Sequence, residues 1–474
     1  VASSSVVSAG LNGGLGAPLG RGRVGIVIVA HDRTDTLARC LDSLFQQPDL
    51  DFFHLAVSLD HAPAFDKMEA VVQTFPRRYK IDVWKKPADP KQKVAVAKIA
   101  AHFRFALSQS FEVAKHEFTL LIENDLILAP DFLWYFRLAG SLLDRDASLW
   151  CISSWNDNGF RDIVSDERKL FRTDYFPGLG WMIRNDTWSM LAPEWPNFPS
   201  TGWDHWLRHG VPSLRFRDCV APEVPRSKHV DNKGTNVKAG SGIYKLLEKM
   251  AFSKLPHGEL HDVSYLLRDR YEASLQKLLQ DAQLAPSLES LRHAIPTPQY
   301  YKLPYVREEF STVAKALQLY PGQPRGARRG IILSHHPVSH VPVALVDRRQ
   351  ASGILPESDL WSLDPTHVFM SGKPNQSCNQ ICNEAALQCV DRQLEFGNQC
   401  ELLKQHFRCE NGCGHQVGME LPCYVHDRQR DTALQCLVSD EAKPNCNAKH
   451  PATSRLCVCV GSSKRKQSHF KTGS

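Results

Sequence analysis

Short apolar runs alternate with helical apolar stripes along the first 125 residues. The run Val24-Gly-Ile-Val-Ile-Val-Ala30 is apolar and mostly β-branched, which predicts a strand buried on both faces. Behind it, Leu37, Cys40, Leu41, Leu44 and Phe45 recur at i, i+3, i+4, i+7 and i+8. That spacing makes one stripe of a helix, with Asp35 as candidate N-cap and Cys40 as a buried free thiol. His54-Leu-Ala-Val-Ser-Leu-Asp60, Lys80-Ile-Asp-Val-Trp84 and Phe118-Thr-Leu-Leu-Ile122 read as further strands, and residues 93–109 as another helix. Strands alternating with helices predict an α/β fold with a mainly parallel sheet covered on both faces. Such sheets take ligands beyond the carboxyl ends of their strands. Three strands here end in polar groups, His31-Asp32-Arg33, Asp60-His61 and Glu123-Asn124-Asp125, so these are expected on one rim.

From about residue 145 to 260 the pattern is irregular and rich in Trp, Pro and Asp. Residues 261–320 read as helical, with Leu266, Leu267, Leu275, Leu278 and Leu279 among the apolar positions. Ile331-Ile-Leu333 and Val341-Pro-Val-Ala-Leu-Val346 predict late strands. The expected organisation is a Gly/Ser/Ala-rich stem over 1–23 and a main domain over 24–350, whose halves meet near 145. A linker over 351–377, a cysteine-rich module over 378–460 and a basic tail over 461–474 follow.

Charge narrows the function classes. The net charge of +6 includes Lys464, Arg465, Lys466 and Lys471 of the tail, so the rest is close to neutral and a nucleic-acid role is poorly supported. No apolar run reaches the roughly 18 residues that span a bilayer. Any membrane anchor is expected outside this sequence. Eleven of the 14 cysteines fall between Cys378 and Cys459. That density favours a disulfide-stapled module from an oxidising compartment, and no repeated CxxC pair stands at zinc-ribbon spacing. The sequons at Asn185 and Asn375 agree with a lumenal location.

Two constellations carry candidate chemistry. Glu123-Asn124-Asp125 offers hard carboxylate oxygens at a strand end, suited to a divalent cation that also takes oxygens from a diphosphate. A solvated turn explains the triplet alone equally simply. In Gly202-Trp-Asp-His-Trp206 the aromatics can desolvate Asp204 into a general base, with His205 as competitor and a packed helix N-terminus as the plain alternative. The glycines of Thr173-Asp-Tyr-Phe-Pro-Gly-Leu-Gly-Trp181 allow close backbone approach to a sugar. No GxGxxG or P-loop is present.

The chain resembles the N-acetylglucosaminyltransferase I family. The matching stretches include Ile28-Val-Ala-His-Asp-Arg33, Val57-Ser-Leu-Asp60, Lys98-Ile-Ala-Ala-His-Phe-Arg104 and Glu123-Asn-Asp-Leu126. They continue through Trp155-Asn-Asp-Asn-Gly159, Phe171-Arg-Thr-Asp-Tyr-Phe-Pro-Gly-Leu-Gly-Trp181 and Trp203-Asp-His-Trp206, in family order across residues 24–345. The resemblance implies a GT-A fold: a Rossmann-like, nucleotide-sugar-binding half (24–145) joined to an acceptor-binding half (146–350). It implies Mn2+-assisted, inverting transfer of GlcNAc from UDP-GlcNAc to the 2-hydroxyl of a mannose on a glycoprotein, in the Golgi lumen, by a type II membrane protein. Asp125 matches the metal ligand and Asp204 the base. Arg33, Asp60, His102, Glu123 and Asn124 match donor-binding positions, and Cys151 and Cys219 match a family disulfide.

The departures are specific. Asn124 and His205 stand where the family has acids, and His31 and His61 where it has a disulfide-bonded cysteine pair. Lys233-Gly-Thr-Asn236 resembles a loop that closes over the donor. The cysteine-rich module resembles the tail of N-acetylglucosaminyltransferase V, as a stabilising or acceptor-placing element. Transfer to protein O-mannose, and a catalytically silent glycan binder, are the alternatives. Retention of both Asp125 and Asp204 speaks against the silent binder.

Overall fold

The computed structural model describes residues 17–461 apart from 77–78, 90–93, 197–201, 210, 215, 231–241, 296–298, 357–358 and 440–443. Residues 1–16 of the expected stem, the 233–236 loop and the tail beyond 461 therefore lie outside the described residues. In the first half, β1 (Val24–Ala30), α1 (Thr34–Phe45), β2 (Phe53–Leu59), α2 (Phe65–Gln73), β3 (Ile81–Lys85), α3 (Ala95–Ser108) and β4 (Phe118–Glu123) follow in order. The four strands are parallel, with β1 between β2 and β4 and β3 at the edge. Every residue of β1 is buried, because helices cover both faces. Ile26 and Ile28 pack in one apolar cluster with Leu37, Leu41 and Leu44 of α1. Val27 and Val29 pack in the other with Ala100 and Phe103 of α3. Asp35 does not cap α1. Arg33 is the N-cap residue, in extended conformation, and Asp35 sits in the first turn, where its charge favours the helix dipole.

The sheet continues through β5 (Leu126–Leu128), α4 (Phe132–Gly140), β6 (Leu149–Ser153), β7 (Leu170–Thr173), β8 (Trp181–Arg184), α5 (Asn185–Leu191), α6 (Trp203–His209), β9 (Asp218–Pro222) and β10 (Ser227–His229). Its order is β3-β2-β1-β4-β8-β6-β9-β7, with β8 antiparallel to β4, and β5 pairs with β10 in a separate ribbon. This is the expected α/β architecture, parallel in the first half and mixed in the second. Cys151 and Cys219 pair across neighbouring β6 and β9 in the expected disulfide.

The next segment holds α7 (Gly242–Leu247), α8 (Arg268–Asp281), β11 (Gln283–Leu284), α9 (Leu288–Arg292), β12 (Tyr301–Tyr305), α10 (Arg307–Ala316), β13 (Ile331–His335) and β14 (Pro342–Asp347). Residues 261–320 are thus not helical throughout: β12 runs parallel to β14 in a four-stranded sheet. Its Tyr301-Lys-Leu-Pro-Tyr305 alternates part-buried and buried side chains, too short a run to outweigh the helical leucines around it. One buried network ties this segment to the main sheet. Arg172, fully buried, bonds Asp146 and Asp218 at 2.7 Å each, and Arg328 bonds the same Asp218 oxygen at 2.8 Å.

The module comprises β15 (Val368–Ser371), α11 (Cys378–Glu384), β16 (Gln388–Cys389), α12 (Cys400–His406), β17 (Cys413–Gln416), β18 (Cys423–Val425), β19 (Cys436–Ser439) and β20 (Thr453–Val460). Its β15 lies inside the stretch read as linker and pairs with β20. Cys378 and Cys382, one helical turn apart, bond to Cys457 and Cys459, two apart on one strand face. The other bridges are Cys389–Cys446, Cys400–Cys413 and Cys409–Cys436, and Cys423 is a buried free thiol, as is Cys40. Ten of the eleven module cysteines are thereby consumed, which removes the zinc reading. Arg349 bonds Glu395 at 2.9 Å and Arg307 donates to the Ser439 carbonyl at 2.9 Å, docking the module on the preceding domain.

Asp218→Ala leaves two buried guanidinium groups short of a partner and is expected to cost about 3–5 kcal/mol, read as a lowered midpoint in chemical unfolding.

Candidate active site

The parallel register carries the ends of β1, β2 and β4 to one level, since Ala30 pairs with Leu59 and Val29 with Glu123. Beyond those ends Arg33, Asp60, Glu123, Asn124 and Asp125, with His102 from α3, line one cleft of about 1170 Å³. Six of the seven candidate donor, metal and base residues meet there. Asp204 does not line that cleft. It sits on α6, beside it.

Asp125 is 7% exposed. Its Oδ2 accepts from Arg33 Nη2 at 2.6 Å, while its buried Oδ1 has no hydrogen-bond partner among the described residues. His229 Nδ1 lies 3.9 Å from it, too far for a hydrogen bond. Antiparallel pairing of β10 with β5 brings His229 there, opposite Leu126. Sequence reasoning missed it because nothing near Ser227-Lys-His229 announces a site. Among the described residues no three His, Cys, Asp or Glu side chains cluster as a metal cage. The donor set therefore fits an ion held by one carboxylate and completed by a diphosphate. Burial leaves one Asp125 oxygen facing a need that the protein does not meet.

Asn124 has a structural task that an acid could not perform. Its Nδ2 donates to Thr36 Oγ1 at 3.0 Å and to the Arg33 carbonyl at 3.3 Å, pinning the start of α1 to the end of β4. A carboxylate has no proton to donate to that carbonyl. Asp60 accepts from or pairs with two histidines, His31 Nδ1 at 2.6 Å and His102 Nδ1 at 3.6 Å. His31 and His61 lie with ring centroids 4.6 Å apart, so the two rings meet at the rim.

Burial holds His102 down to about 4, helped by Lys86 and His31 and opposed by Asp60, while its Nε2 lies 3.0 Å from Ser58 Oγ. Glu123 moves the other way. Burial, then Asp125, then Asp204 push its carboxyl up to about 8, with Arg33 opposing. The neighbouring Asp125 and Asp204 thus disfavour a further negative charge on buried Glu123.

Asp204 is placed by aromatic packing. Trp203 stacks on Phe103 of α3 at 4.1 Å and on Trp181 at 5.6 Å, and it is 8% exposed. Gly202 has φ +115°, and a Cβ there would meet Asp204 Oδ1 at 2.7 Å, so the residue before the helix is restricted to glycine. Arg208, one turn on, donates to Asp204 Oδ2 at 2.8 Å and to the Phe176 carbonyl at 3.0 Å. That i,i+4 spacing was legible in the sequence, but Arg208 attracts notice only once Asp204 is known to need orientation.

Residues 20–354 match the GNT-I family. Over 321 residues the chain is 30% identical to an Arabidopsis thaliana protein named alpha-1,3-mannosyl-glycoprotein 2-beta-N-acetylglucosaminyltransferase, spanning 65% of this chain and 70% of that protein. Two solved structures are similar over shorter stretches. One is the mannosyltransferase PcManGT from Pyrobaculum calidifontis in complex with GDP-Man and Mn2+ (13% identity, 44% of this chain, 60% of that one, TM-score 0.29). The other is S. aureus TarS 1-349 (14% identity, 42% of this chain, 58% of that one, TM-score 0.30). The chain spans less than two thirds of both solved chains.

His102 has its lowered value only when folded, so the unfolded chain takes up the proton first on acidification. Stability is expected to fall as pH drops from about 6.5 towards 4, and His102→Gln to flatten that fall. Nitrogen NMR of the ring at pH 6 checks it directly: a neutral imidazole is expected.

Proposed function

The chain belongs to the GNT-I family, and from that premise we propose that it moves GlcNAc from UDP-GlcNAc to the 2-hydroxyl of the α1,3-linked mannose of an N-glycan core, with inversion. The observation that carries the reading is the buried Asp125 with one oxygen tied to Arg33 and the other without a partner. Asp125, with His229 nearby, would hold Mn2+ against the donor diphosphate. When bound, that ion supplies positive charge against the developing charge on the leaving UDP. The chain's own residues supply the rest. Arg33 orients Asp125 and adds a cation at the same edge. Asp204 accepts the proton of the mannose 2-hydroxyl as its oxygen attacks the anomeric carbon and the bond to UDP breaks. Arg208 fixes one Asp204 oxygen, leaving the other for that proton. Donor contacts are assigned to Asp60, His102, Glu123 and Asn124, which line the same cleft.

A single displacement needs base and leaving group on opposite sides of the transferred sugar. Asp125 and Asp204 both act on Glu123 electrostatically, which supports reading them as parts of one site although Asp204 lies outside the cleft that Asp125 lines. Location in the Golgi lumen is part of the reading. Six disulfides fit an oxidising compartment. No helix among the described residues is long and apolar enough to cross a membrane, and the proposed anchor would lie outside this sequence.

Purified protein given UDP-GlcNAc, Mn2+ and either a mannose-terminated N-glycan or an O-mannosyl peptide should transfer GlcNAc to the N-glycan in β linkage. Preference for the peptide would change the acceptor, and transfer to neither would remove the reading. Asp125→Ala and Asp204→Asn should each lower kcat by at least about 10²-fold, with UDP affinity retained only in Asp204→Asn. Near-normal kcat in Asp204→Asn would transfer the base role to His205.

A further inference from the structure

A second cleft, of about 590 Å³, opens where the transferase body meets the disulfide-rich module. One wall comes from Tyr175, α6 and the β12–β14 sheet, and the opposite wall from the module, including Gln399, Glu401 and His415. Resting on the transferase reading above, we propose that this cleft is an extended acceptor subsite. It would hold the sugar residues of the glycan remote from the reacting mannose, with the module as its outer wall.

Three observations carry this. First, most of the wall charges are already paired within the protein. Asp218 is bonded by Arg172 and Arg328, Asp347 by Arg349, Arg329 by Glu272 and Arg208 by Asp204. With most of its ions already partnered, the cleft has little free charge with which to select an anion. It presents hydroxyl-binding donors and acceptors to a neutral ligand. Second, Phe216 stands at the rim 71% exposed, in the left-handed backbone region at φ +69°. A phenyl ring held outward at that conformational cost offers the apolar face on which a pyranose ring stacks. Third, the cleft reaches the catalytic helix. Arg208 lines it, lies 4.8 Å from the Tyr175 ring centroid and bonds Asp204. On the module side, His415 approaches His205, with ring centroids 6.3 Å apart. An occupant would therefore lie against the helix that carries the proposed base.

The test compares a methyl mannoside with a branched high-mannose oligosaccharide as acceptors, for wild type, Phe216→Ala and Gln399→Ala. Both side chains are exposed, so truncation opens no core. Phe216→Ala is expected to raise KM for the oligosaccharide about tenfold more than for the mannoside, and Gln399→Ala to act in the same direction by a smaller factor. Calorimetric titration of the oligosaccharide into donor-free protein reads the same loss without catalysis. Equal effects on both acceptors, or wild-type KM values that do not differ between them, would overturn the subsite while leaving the transferase reading intact. Oligosaccharide binding that Phe216→Ala weakens, in a protein that transfers to neither acceptor, would support the subsite and overturn the transferase reading instead.

Discussion

The ion pair between Arg33 and Asp125 is the constraint on which the site depends. It joins the residue before α1 to the second residue after β4, across two parallel neighbours, and so fixes two of the segments that form the rim. Charge-assisted bonds of this kind are strong where solvent is scarce. The pair also leaves work undone, because Asp125 Oδ1 is buried without an answer. A polar atom in that position raises the free energy of the empty protein and lowers it again when a cation arrives. On the proposed reading, the incoming cation and diphosphate provide that answer.

The second half of the chain serves to place α6. Phe103, Trp181 and Trp195 pack around Trp203, so α3 and the helix α6 that carries Asp204 share one aromatic core. Arg172, Asp218 and Arg328 hold the β7–β9 edge against the later segment in a buried network. Buried ion pairs contribute little net stability, but removal of one partner is costly. Such a network suits orientation better than bulk stability. The module adds five disulfides of its own, which stiffen its side of the second cleft.

Much of the donor side was legible in the sequence because parallel topology leaves few choices. The bounds of β1 match Val24–Ala30, and the polar ends of β1, β2 and β4 converge as strand direction requires. What escaped notice depends on long-range pairing. His229 reaches Asp125 through an antiparallel ribbon, and β12 is a strand only because β14 lies beside it. Neither leaves a local period. Asp35 has the chemistry of a cap, yet the helix starts two residues too early to use it. The module bridges were beyond deduction from eleven cysteines, although the helix and strand spacings of Cys378, Cys382, Cys457 and Cys459 make sense once seen.

The most direct test of the unanswered Asp125 oxygen is Mn2+ binding followed by electron paramagnetic resonance, with and without UDP. One carboxylate cannot hold the ion alone, and one carboxylate with a diphosphate can. The account predicts that the free Mn2+ signal persists with protein alone and disappears when UDP is added. Tight binding without UDP, or a signal that UDP leaves unchanged, would contradict it.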